Sequence, residues 1–476
     1  MSKFDYLVID IGSTYTKQRL FSKKKLVCSV QSPTTIKNVQ QGIAKGQNFI
    51  KQKITESEID VDNILASSSA AGGLKMVAMG YMSRVTAKAA KEVAMNSGAK
   101  ILEIVSNEDP PSYRIQILKE TAPDIILLAG GTDFGDETSL LENAQLLADC
   151  KIDGIVVLAG NIAAQKKAEQ ILIKANISCV RVANIMPTIH QLKAKEAREV
   201  IHKEFIKQIT QAQGVNLLQN QLTNDKIMPT PGAVLMAAEL LSKGTYSQKG
   251  LGEIIVVDLG GATTDVHSVV PRLADLKTEE IGLIVSNEKQ VSYRTVEGNL
   301  GMRISAMSIL DTVNPKGILQ KRQITDEQTL KSFIDYCKEV EENPEHIPKD
   351  KQQYQFDTFL AETAVEIALK RHAGYISTYH DPVTGVVPGM PVGRDLRNVD
   401  TIVAVGGIFA NRTQQDCKNI VKNALKDKGT SLLPKEPEVL IDSNYLLFTG
   451  GIISQVDEEY AFDILINQFN KKIGNC

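Results

Sequence analysis

Two similar stretches at distant points of the chain constrain the fold more than any other feature of this sequence. Residues 7–17 read LVIDIGSTYTK, and residues 255–265 read IVVDLGGATTD. When Asp10 is aligned with Asp258, a spacing of 258 − 10 = 248 residues, the turn glycine and a following threonine also coincide. Each stretch begins as a continuous apolar run, which is typical of a strand buried on both faces, and turns back at glycine. The sequence therefore predicts a duplicated α/β fold in which each half opens with a β-hairpin.

The segment between the hairpins alternates short apolar strands with helix-like stretches, which is the pattern of βαβ units and a parallel sheet. We assign 98–190 to an α/β subdomain inserted into the first half. The first domain is predicted to cover 1–250 and the second 251–476, with a helical insertion at about 313–398. Single helices are predicted over 83–96, 195–222 and 231–243.

The composition of the whole chain narrows the functional classes. The 476 residues carry a net charge of −2, which gives no support for nucleic acid or a membrane as the main partner. The six cysteines show no CxxC spacing, which argues against a zinc site or a disulfide framework and favours a reducing compartment. The N-terminal MSKFDYLVID has an acidic residue where a signal peptide needs an apolar run, and no apolar run is long enough to span a bilayer. We therefore expect a cytoplasmic protein.

The residue types in the two turns suit a phosphate chain. Glycines and small residues in a tight turn leave backbone N–H groups pointing inward, and serine and threonine hydroxyls add donors. A carboxylate at the strand end repels phosphate but can hold a hydrated Mg²⁺, so Asp10 and Asp258 are the candidate magnesium ligands. Two such turns, one in each half, are expected to grip one phosphate tail from both sides. The candidate phosphate-binding residues are Gly12, Ser13, Thr14 and Lys17 in the first turn and Gly260, Gly261, Ala262, Thr263 and Thr264 in the second.

Each of these assignments has a structural alternative. Asp10 and Asp258 could simply cap turns at the strand ends, and the hydroxyls could form ordinary side-chain turns. Lys17 could face either a ligand or solvent. The candidate catalytic residues are Asp10, Asp258 and Thr263, because phosphoryl transfer needs groups that position water and offset charge rather than a strong nucleophile.

A strand that ends in two glycines supplies a candidate nucleoside site. The stretch VAVGGIFAN at 403–411 places Gly406 and Gly407 where missing side chains would let a sugar and a base approach closely. Taken alone, this pattern more often reflects a plain turn. Its position after the two phosphate-like turns favours adenosine.

Two polar clusters outside these turns allow more than one interpretation. Asp265 and His267 lie two residues apart and so share one face of a strand. We interpret them as a hydrogen-bonded polar pair rather than a catalytic dyad. The run Gly130–Asp133 follows a predicted parallel strand, a position at which ligands commonly bind, and could equally be structural.

The order of the motifs resembles that of the actin/Hsp70/sugar-kinase ATPase superfamily. Asp10-x-Gly12-Ser13-Thr14 is similar to its first phosphate motif, Asp258-x-Gly260-Gly261-Ala262-Thr263 to its second, and Gly406-Gly407 to its adenosine motif. The resemblance implies two actin-like domains with an ATP cleft between them. It also implies that the glycine-rich loop at 297–301, with Gly298 and Gly301, contributes to the nucleotide site.

A closer resemblance is to the GlmL/MutL family. The stretches that carry it are VIDIGSTYTK (8–17), ASSSAAGGLKMV (66–77), LLAGGTDFG (127–135), VVDLGGATTDVHSV (256–269) and RTVEGNLGMR (294–303). Members of this family, which is unrelated to the mismatch-repair protein of similar name, are accessory proteins of adenosylcobalamin-dependent amino-acid mutases such as glutamate mutase, and relatives act on ornithine or lysine aminomutases. The resemblance implies an ATP-driven chaperone, using ATP and Mg²⁺, that restores a mutase holding damaged cofactor.

Other functions are compatible with the same motifs. A small-molecule kinase of the superfamily would need an acceptor site, for which we find no separate motif. An electron donor of the dehydratase-activator type would need cysteine ligands for an iron–sulfur cluster, and a binding module could hold ATP without turnover. The corrinoid motif Asp-x-His-x-x-Gly is absent, because Val270 stands at the last position after Asp265 and His267. We therefore expect 98–190 to dock the mutase rather than to bind cobalamin.

Overall fold

The computed structural model describes most of the chain. It covers residues 3–12, 15–33, 39–56, 58–68, 75–82, 100–188, 227–274, 291–380 and 386–469, with a few further residues between 90 and 223. The predicted helix over 83–96 lies almost entirely outside the described residues, as do Ser13 and Thr14. Within the predicted helix over 195–222, the described residues between 196 and 204 are helical and most of the rest lie outside the description. The chain divides into two compact units, Met1–Ala233 and Val234–Cys476.

The secondary structure is a mixture of short strands and helices. The strands, numbered in chain order, are β1 (Lys3–Ile11), β2 (Tyr15–Ser22), β3 (Lys25–Pro33), β4 (Asp60–Ser68), β5 (Lys75–Gly80), β6 (Lys100–Ser106), β7 (Ile125–Leu128), β8 (Ile155–Leu158), β9 (Cys179–Arg181), β10 (Ile227–Pro229), β11 (Ile254–Leu259), β12 (Thr264–Val269), β13 (Ser292–Glu297), β14 (Tyr375–Ile376), β15 (Pro391–Val392), β16 (Thr401–Gly406) and β17 (Glu438–Asp442). The helices are α1 (Val39–Ile54), α2 (Pro111–Thr121), α3 (Thr138–Cys150), α4 (Ile162–Lys174), α5 (Thr230–Lys243), α6 (Ala306–Thr312), α7 (Pro315–Gln320), α8 (Glu327–Glu342), α9 (Lys351–His372), α10 (Gly407–Ala410), α11 (Gln414–Ala424), α12 (Leu446–Ile453) and α13 (Glu458–Asn467).

Two five-stranded sheets, one in each unit, share a single topology. Sheet one has the spatial order β3-β2-β1-β4-β10, and sheet two has the order β13-β12-β11-β16-β17. In each, the first three strands pair antiparallel and the last two run parallel to the hairpin's first strand. The register agrees as well, because Asp10 faces Lys17 on β2 and Asp258 faces Asp265 on β12. The predicted duplicated, actin-like α/β fold is confirmed.

A third sheet lies in the first unit and is wholly parallel. Its order is β6-β5-β7-β8-β9, and α2, α3 and α4 occupy the connections between its strands. The predicted strand–helix alternation is therefore present between 100 and 181. The sheet also contains β5, which the sequence pattern did not identify because KMVAMG at 75–80 is a run of only six residues.

The core of the second unit lies between sheet two and a layer of helices. Within the predicted helical insertion at about 313–398 the structure contains α8 and α9. Their buried residues recur at helical spacing, as in Phe333, Tyr336, Cys337 and Val340 on α8. These side chains join the apolar residues of β11 and β16 in one cluster. Among the described residues, no helix is both long and apolar enough to cross a membrane.

Candidate functional site

The first turn holds Asp10 within a set of hydroxyl donors. Asp10 lies near the end of β1 and is only 2% exposed. Ser67 Oγ, on the neighbouring strand β4, donates to Asp10 Oδ1 at 2.9 Å, and Thr230 Oγ1, at the start of α5, donates to the same oxygen at 2.6 Å. Because a buried carboxylate is unfavourable without such partners, these donors both stabilise Asp10 and fix its orientation.

Lys17 and Gly12 complete the described part of the first turn. Lys17 Nζ lies 3.7 Å from Asp10 Oδ2, and 24% of the lysine side chain is exposed. Gly12 donates its N–H to the Tyr15 carbonyl at 3.0 Å, and a Cβ on Gly12 would lie 2.6 Å from that oxygen. The close approach of the Tyr15 carbonyl therefore requires glycine at position 12. The ammonium group of Lys17 is directed towards the carboxylate of Asp10.

The second turn is closed by the equivalent hydrogen bond. Gly260 donates its N–H to the Thr263 carbonyl at 2.9 Å, in the position that Gly12 and Tyr15 occupy in the first turn. Asp258 lies near the end of β11, half-buried, opposite Asp265 on β12 and beside Val405 on β16. The repeat seen in the sequence is thus a repeat of backbone geometry.

The carbonyl groups of the second turn are occupied, whereas two of its N–H groups are not. The carbonyl of Gly260 accepts from Met302 N, that of Gly261 accepts from Arg303 N and Ile304 N, and that of Ala262 accepts from Ser305 Oγ, all at 2.9–3.0 Å. Within the described residues, the N–H groups of Gly261 and Ala262 donate to no acceptor, and Gly261 is exposed. Adjacent unoccupied N–H groups in a turn form a concavity that suits an anion such as phosphate.

The two threonines of the second turn have different partners. Thr264 is fully buried, and its hydroxyl donates to the Leu300 carbonyl at 2.6 Å. Thr263 is half-buried, and its hydroxyl donates to Asp265 Oδ2 at 3.2 Å. The hydroxyl of Thr264 therefore holds the loop after β13, and Thr263 is the threonine whose hydroxyl lies nearer to the turn surface.

Asp265, opposite Asp258, is compensated by an arginine. Arg294 on β13 donates from Nε to Asp265 Oδ1 at 2.8 Å and makes a second, shorter contact to the same oxygen through Nη2. Carboxylates directly opposite each other on neighbouring strands repel, so this pairing lets Asp258 and Asp265 coexist. A carboxylate next to unoccupied N–H groups fits hydrated Mg²⁺, which takes one or two carboxylates and keeps several waters.

The glycine-rich loop after β13 packs against the second turn. A Cβ on Gly301 would lie 2.2 Å from the carbonyl carbon of Ala262, whereas one on Gly298 would meet nothing within 4 Å. Arg303 then anchors the loop to α9 through two hydrogen bonds to the carboxylate of Asp357, at 3.0 and 2.9 Å. Gly301 is thus required by close backbone packing, and Gly298 is not.

The two glycines of the predicted adenosine motif lie at the end of β16. Gly406 has a φ of +133°, and a Cβ there would lie 2.1 Å from the Leu259 carbonyl oxygen on β11. Gly407 begins α10, and a Cβ there would come 3.5 Å from the Tyr445 hydroxyl. On the next strand, the fully buried carboxylate of Asp442 accepts from Leu446 N and Leu447 N at 2.9 and 2.8 Å and so caps α12. The sequence analysis did not identify this third carboxylate.

The interpretation of Asp265 and His267 as a hydrogen-bonded pair is wrong. Asp265 bonds to Arg294 and Thr263, and both ring nitrogens of the fully buried His267 lack a partner among the described residues. Burial, and secondarily the charge of Arg294, lowers the pKa of His267 well below its usual range. The neutral imidazole is therefore part of the core.

A second buried histidine lies in a polar network beside this one. His372, at the end of α9, contacts Ser268 Oγ through Nε2 at 2.7 Å and Thr295 Oγ1 through Nδ1 at 2.8 Å. Burial lowers the pKa of His372 well below its usual range, with smaller contributions from Arg394 and His267. The network ties β12 and β13 to α9.

The loop at 130–133 is held by its own hydrogen bonds. Asn184 Nδ2 donates to the Gly131 carbonyl at 3.1 Å and to Asp133 Oδ1 at 2.9 Å, and Asp133 Oδ1 also accepts from Ile162 N at 3.1 Å. Gly131 has a φ of +70°, which explains the glycine. These contacts support the structural interpretation of this loop.

Three residues that hold the candidate site were not predicted. Thr230 precedes Pro231 at a helix start, which is a recognisable N-terminal signal but gives no hint of Asp10 as its partner. Ser67 lies in a serine-rich stretch at the end of a strand. Arg294 had no local signal, because its partners lie on a strand that is distant in sequence.

Two sheets of one topology, each with an aspartate and a glycine-closed turn after its first strand, define a duplicated actin-like protein. The chain belongs to the MutL protein family, whose model matches residues 6–469. It is also 35% identical to "Protein MutL" of Clostridium tetanomorphum over 456 residues, which are 94% of this chain and 96% of that one.

Similarity to solved structures extends over the whole chain at low sequence identity. One is a nucleotide-free acetone carboxylase, with 11% identity, a TM-score of 0.40 and coverage of 95% of this chain and 70% of that one. Another is a ligand-bound xylulose kinase from Lactobacillus acidophilus, with 11% identity, a TM-score of 0.33 and coverage of 100% and 93%.

Proposed function

We propose that this chain is an ATP-binding accessory protein of an adenosylcobalamin-dependent amino-acid mutase, which hydrolyses ATP slowly to release damaged cofactor or to assist holoenzyme assembly. The observation that carries the ATP part is the second turn, whose N–H groups at Gly261 and Ala262 meet no described acceptor while its carbonyls are bound by the following loop. The mutase part is supported by membership of the MutL family and by the resemblance described above.

Each turn has a distinct part in this proposal. The first turn contributes Gly12, Ser13, Thr14 and Lys17 to phosphate binding, and the second contributes Gly260, Gly261, Ala262 and Thr263. Asp10 and Asp258 would hold Mg²⁺, and Asp10 would do so through Oδ2 or through water, since its Oδ1 atom already accepts two hydroxyl hydrogen bonds. When bound, Mg²⁺ supplies positive charge that offsets the charge of the phosphates.

The catalytic roles proposed for Asp10, Asp258 and Thr263 are those of positioning groups. Thr263 donates its hydroxyl to Asp265, which fixes the threonine side chain next to the exposed amides of the turn. A water between Thr263 and Asp258 would be oriented by a hydroxyl and a carboxylate. Such an arrangement fits slow hydrolysis, because no strongly basic group activates the water.

The loop after β13 is a route by which the nucleotide could alter the second unit. The loop contacts the turn at Gly260–Ala262 and is anchored to α9 by Arg303 and Asp357. A ligand shifts an equilibrium only through unequal affinity for two states, so ATP and ADP must differ in how they engage this turn. The γ-phosphate is the group that differs, and the unoccupied amides would recognise it.

Isothermal titration with ATP and Mg²⁺ tests the nucleotide part. We expect D10N and D258N each to weaken Mg²⁺-dependent binding of ATP, whereas D335N, an exposed aspartate on α8, should match the wild type. Equal ATP affinity in all four proteins would overturn the assignment. Rapid ADP release that depends on an added sugar or short carboxylate would instead favour a small-molecule kinase.

Cofactor release from purified glutamate mutase loaded with hydroxocobalamin tests the mutase part. We expect this chain with ATP and Mg²⁺ to release the corrinoid, followed by its absorbance in the filtrate, and ADP or the D258N variant to release much less. Release that is equal with ATP, with ADP and without nucleotide would contradict the proposal. Repeating the assay with ornithine and lysine aminomutases identifies the partner.

A further inference from the structure

One continuous stretch of the first unit carries only positive charge. Between residues 11 and 55 the sequence contains nine lysines and arginines and no aspartate or glutamate, although the whole chain has a net charge of −2. This stretch forms β2, β3 and α1. We define the basic edge as the six lysines at the β2–β3 turn and on α1, namely Lys23, Lys24, Lys25, Lys45, Lys51 and Lys53.

The basic edge borders a strand whose outer side is not paired within the described residues. β3 is the last strand of sheet one and is hydrogen-bonded on one side, to β2. Its side chains alternate, so that Val27, Ser29 and Gln31 are exposed while Cys28 and Val30 are buried. The carbonyls of Ser29 and Val30 already accept from Lys53 and Arg19, so another extended polypeptide would pair with the remaining backbone groups of this edge.

An open pocket of about 410 Å³ lies between this strand and α1. Its lining includes Arg19, Gln31, Phe49 and Lys53, and contains no acidic residue. Lys53 Nζ reaches from α1 to the Ser29 carbonyl at 3.0 Å, and Phe49 is 44% exposed. Arg19 is buried, and its guanidinium donates to the carbonyls of Gln18 and Val30. The accessible features of the pocket are therefore the ring of Phe49 and the exposed side chain of Lys53.

We infer that the basic edge binds an extended acidic segment of a partner protein, which adds to β3 and places one side chain in the pocket. The charge attracts carboxylates, the strand edge pairs with a peptide backbone, and the pocket accepts alternate side chains, which together are the features of strand addition. This inference rests on residues of β3 and α1 and does not depend on the proposed nucleotide chemistry.

Lysines on an edge strand also have a protective role, since they prevent pairing with a second copy of the same edge. That role is compatible with the inference, because it excludes a basic strand and leaves an acidic one favoured. Nucleic acid would be attracted by the same charge but cannot complete the hydrogen bonding of a sheet edge. At the β2–β3 turn the carboxylate of Asp5 accepts from Lys23 N at 2.6 Å.

Fluorescence anisotropy with a labelled peptide of alternating glutamate and valine tests the inference in the full-length protein. We expect binding that weakens with salt and that falls about tenfold in K23Q/K24Q/K25Q/K53Q, because the variant loses four positive charges that attract the peptide. Hydrogen exchange should slow at the amides of Val27–Gln31 when the peptide is bound.

The control variant K166Q/K167Q/K174Q removes three exposed lysines from α4, which connects β8 and β9 and carries no residue of the basic edge. This variant should bind the peptide like the wild type. Equal loss of affinity in both variants, or peptide binding without protection of β3, would overturn the inference. Tighter binding of oligothymidylate or of phosphatidylserine vesicles than of the peptide would also overturn it. Melting temperatures of both variants confirm that the fold is retained.

Discussion

Thr230 Oγ1 donates to Asp10 Oδ1 at 2.6 Å, across 220 positions of sequence. The contact arises because β10 lies in sheet one beside β4, so that α5 begins next to the strand ends that carry Asp10 and Ser67. Both hydroxyls reach the same carboxylate oxygen. The orientation of Asp10 on β1 is therefore set by donors from two segments, β4 and α5, that are distant in the chain.

Replacement of Thr230 by valine should weaken nucleotide binding more than it weakens the fold. The variant keeps the shape of the side chain and removes the donor to Asp10, so the carboxylate gains freedom to rotate. We expect the free energy of unfolding to fall by about 1 kcal/mol, as for the loss of one hydrogen bond. The affinity for ATP with Mg²⁺ should fall about five- to tenfold by calorimetry.

T230S and T121V are matched controls for this prediction. T230S retains a hydroxyl and should restore most of the affinity. Thr121 is half-buried on α2 and donates to the Ile117 carbonyl at 2.6 Å, so T121V removes a comparable hydrogen bond away from Asp10. An affinity loss of similar size in T121V would show that the effect of T230V is general.

The duplicated hairpins could be predicted from the sequence because each is a local pattern. An apolar run, an aspartate and a glycine specify the strand, its end and the turn without reference to any other part of the chain. The shared register of Asp10 with Lys17 and of Asp258 with Asp265 follows from those patterns. The parallel third sheet was likewise recognisable from its alternating strands and helices.

The contacts that orient the site could not be predicted in this way. Strand order brings Ser67 to Asp10 and Arg294 to Asp265, and order is not encoded by the spacing of neighbouring residues. The same reason explains the error over His267. Asp265 and His267 share a strand face as expected, but β13 places Arg294 opposite His267 and within reach of Asp265. Arg294 therefore forms the ion pair with the carboxylate of Asp265, and His267 does not bond to it.

Alanine substitutions at the two loop glycines should have opposite outcomes. A Cβ at Gly301 would overlap the Ala262 backbone, so G301A must displace the loop from the second turn. We expect a loss of about 1–3 kcal/mol in stability, as for overpacking, and weaker ATP binding. G298A adds a methyl group that meets nothing within 4 Å and should leave the stability unchanged. Urea denaturation and calorimetry on the pair measure both effects, and equal behaviour of the two variants would contradict the packing described here.

The two buried histidines should make the fold sensitive to acid. Burial lowers the pKa of both His267 and His372 in the folded chain, with added effects of Arg294 on the first and of Arg394 on the second. Below about pH 6.5 the unfolded chain binds protons at these histidines and the folded chain does not. The contribution of the two neutral histidines to the free energy of unfolding is therefore fully present above about pH 6.5. It decreases as the pH falls, by up to about 1.4 kcal/mol per pH unit for each histidine.

Replacement of His267 by leucine isolates one of these contributions. His267 makes no hydrogen bond with the described residues, so the variant loses no such contact and no longer has an imidazole to protonate. The free energy of unfolding is measured against pH by urea denaturation between about pH 4.5 and 7. We expect a shallower slope in H267L, because unfolding then takes up as many as one proton fewer. The control is H380L, which replaces an exposed histidine by leucine and should leave the slope close to that of the wild type. An unchanged slope in H267L would refute the assignment.

The buried ion pair of Arg294 with Asp265 should be costly to break and less costly to remove. R294M leaves Asp265 without its strongest partner and opposite Asp258, and an uncompensated buried charge typically costs about 3–5 kcal/mol. The double variant D265L/R294M removes both charges and should recover much of that loss. Because the positive charge of Arg294 contributes to the low pKa of His267, R294M should also raise that pKa and reduce the acid sensitivity of the fold. Urea denaturation at two pH values measures both effects, and a double variant less stable than R294M would contradict the proposed role of charge compensation.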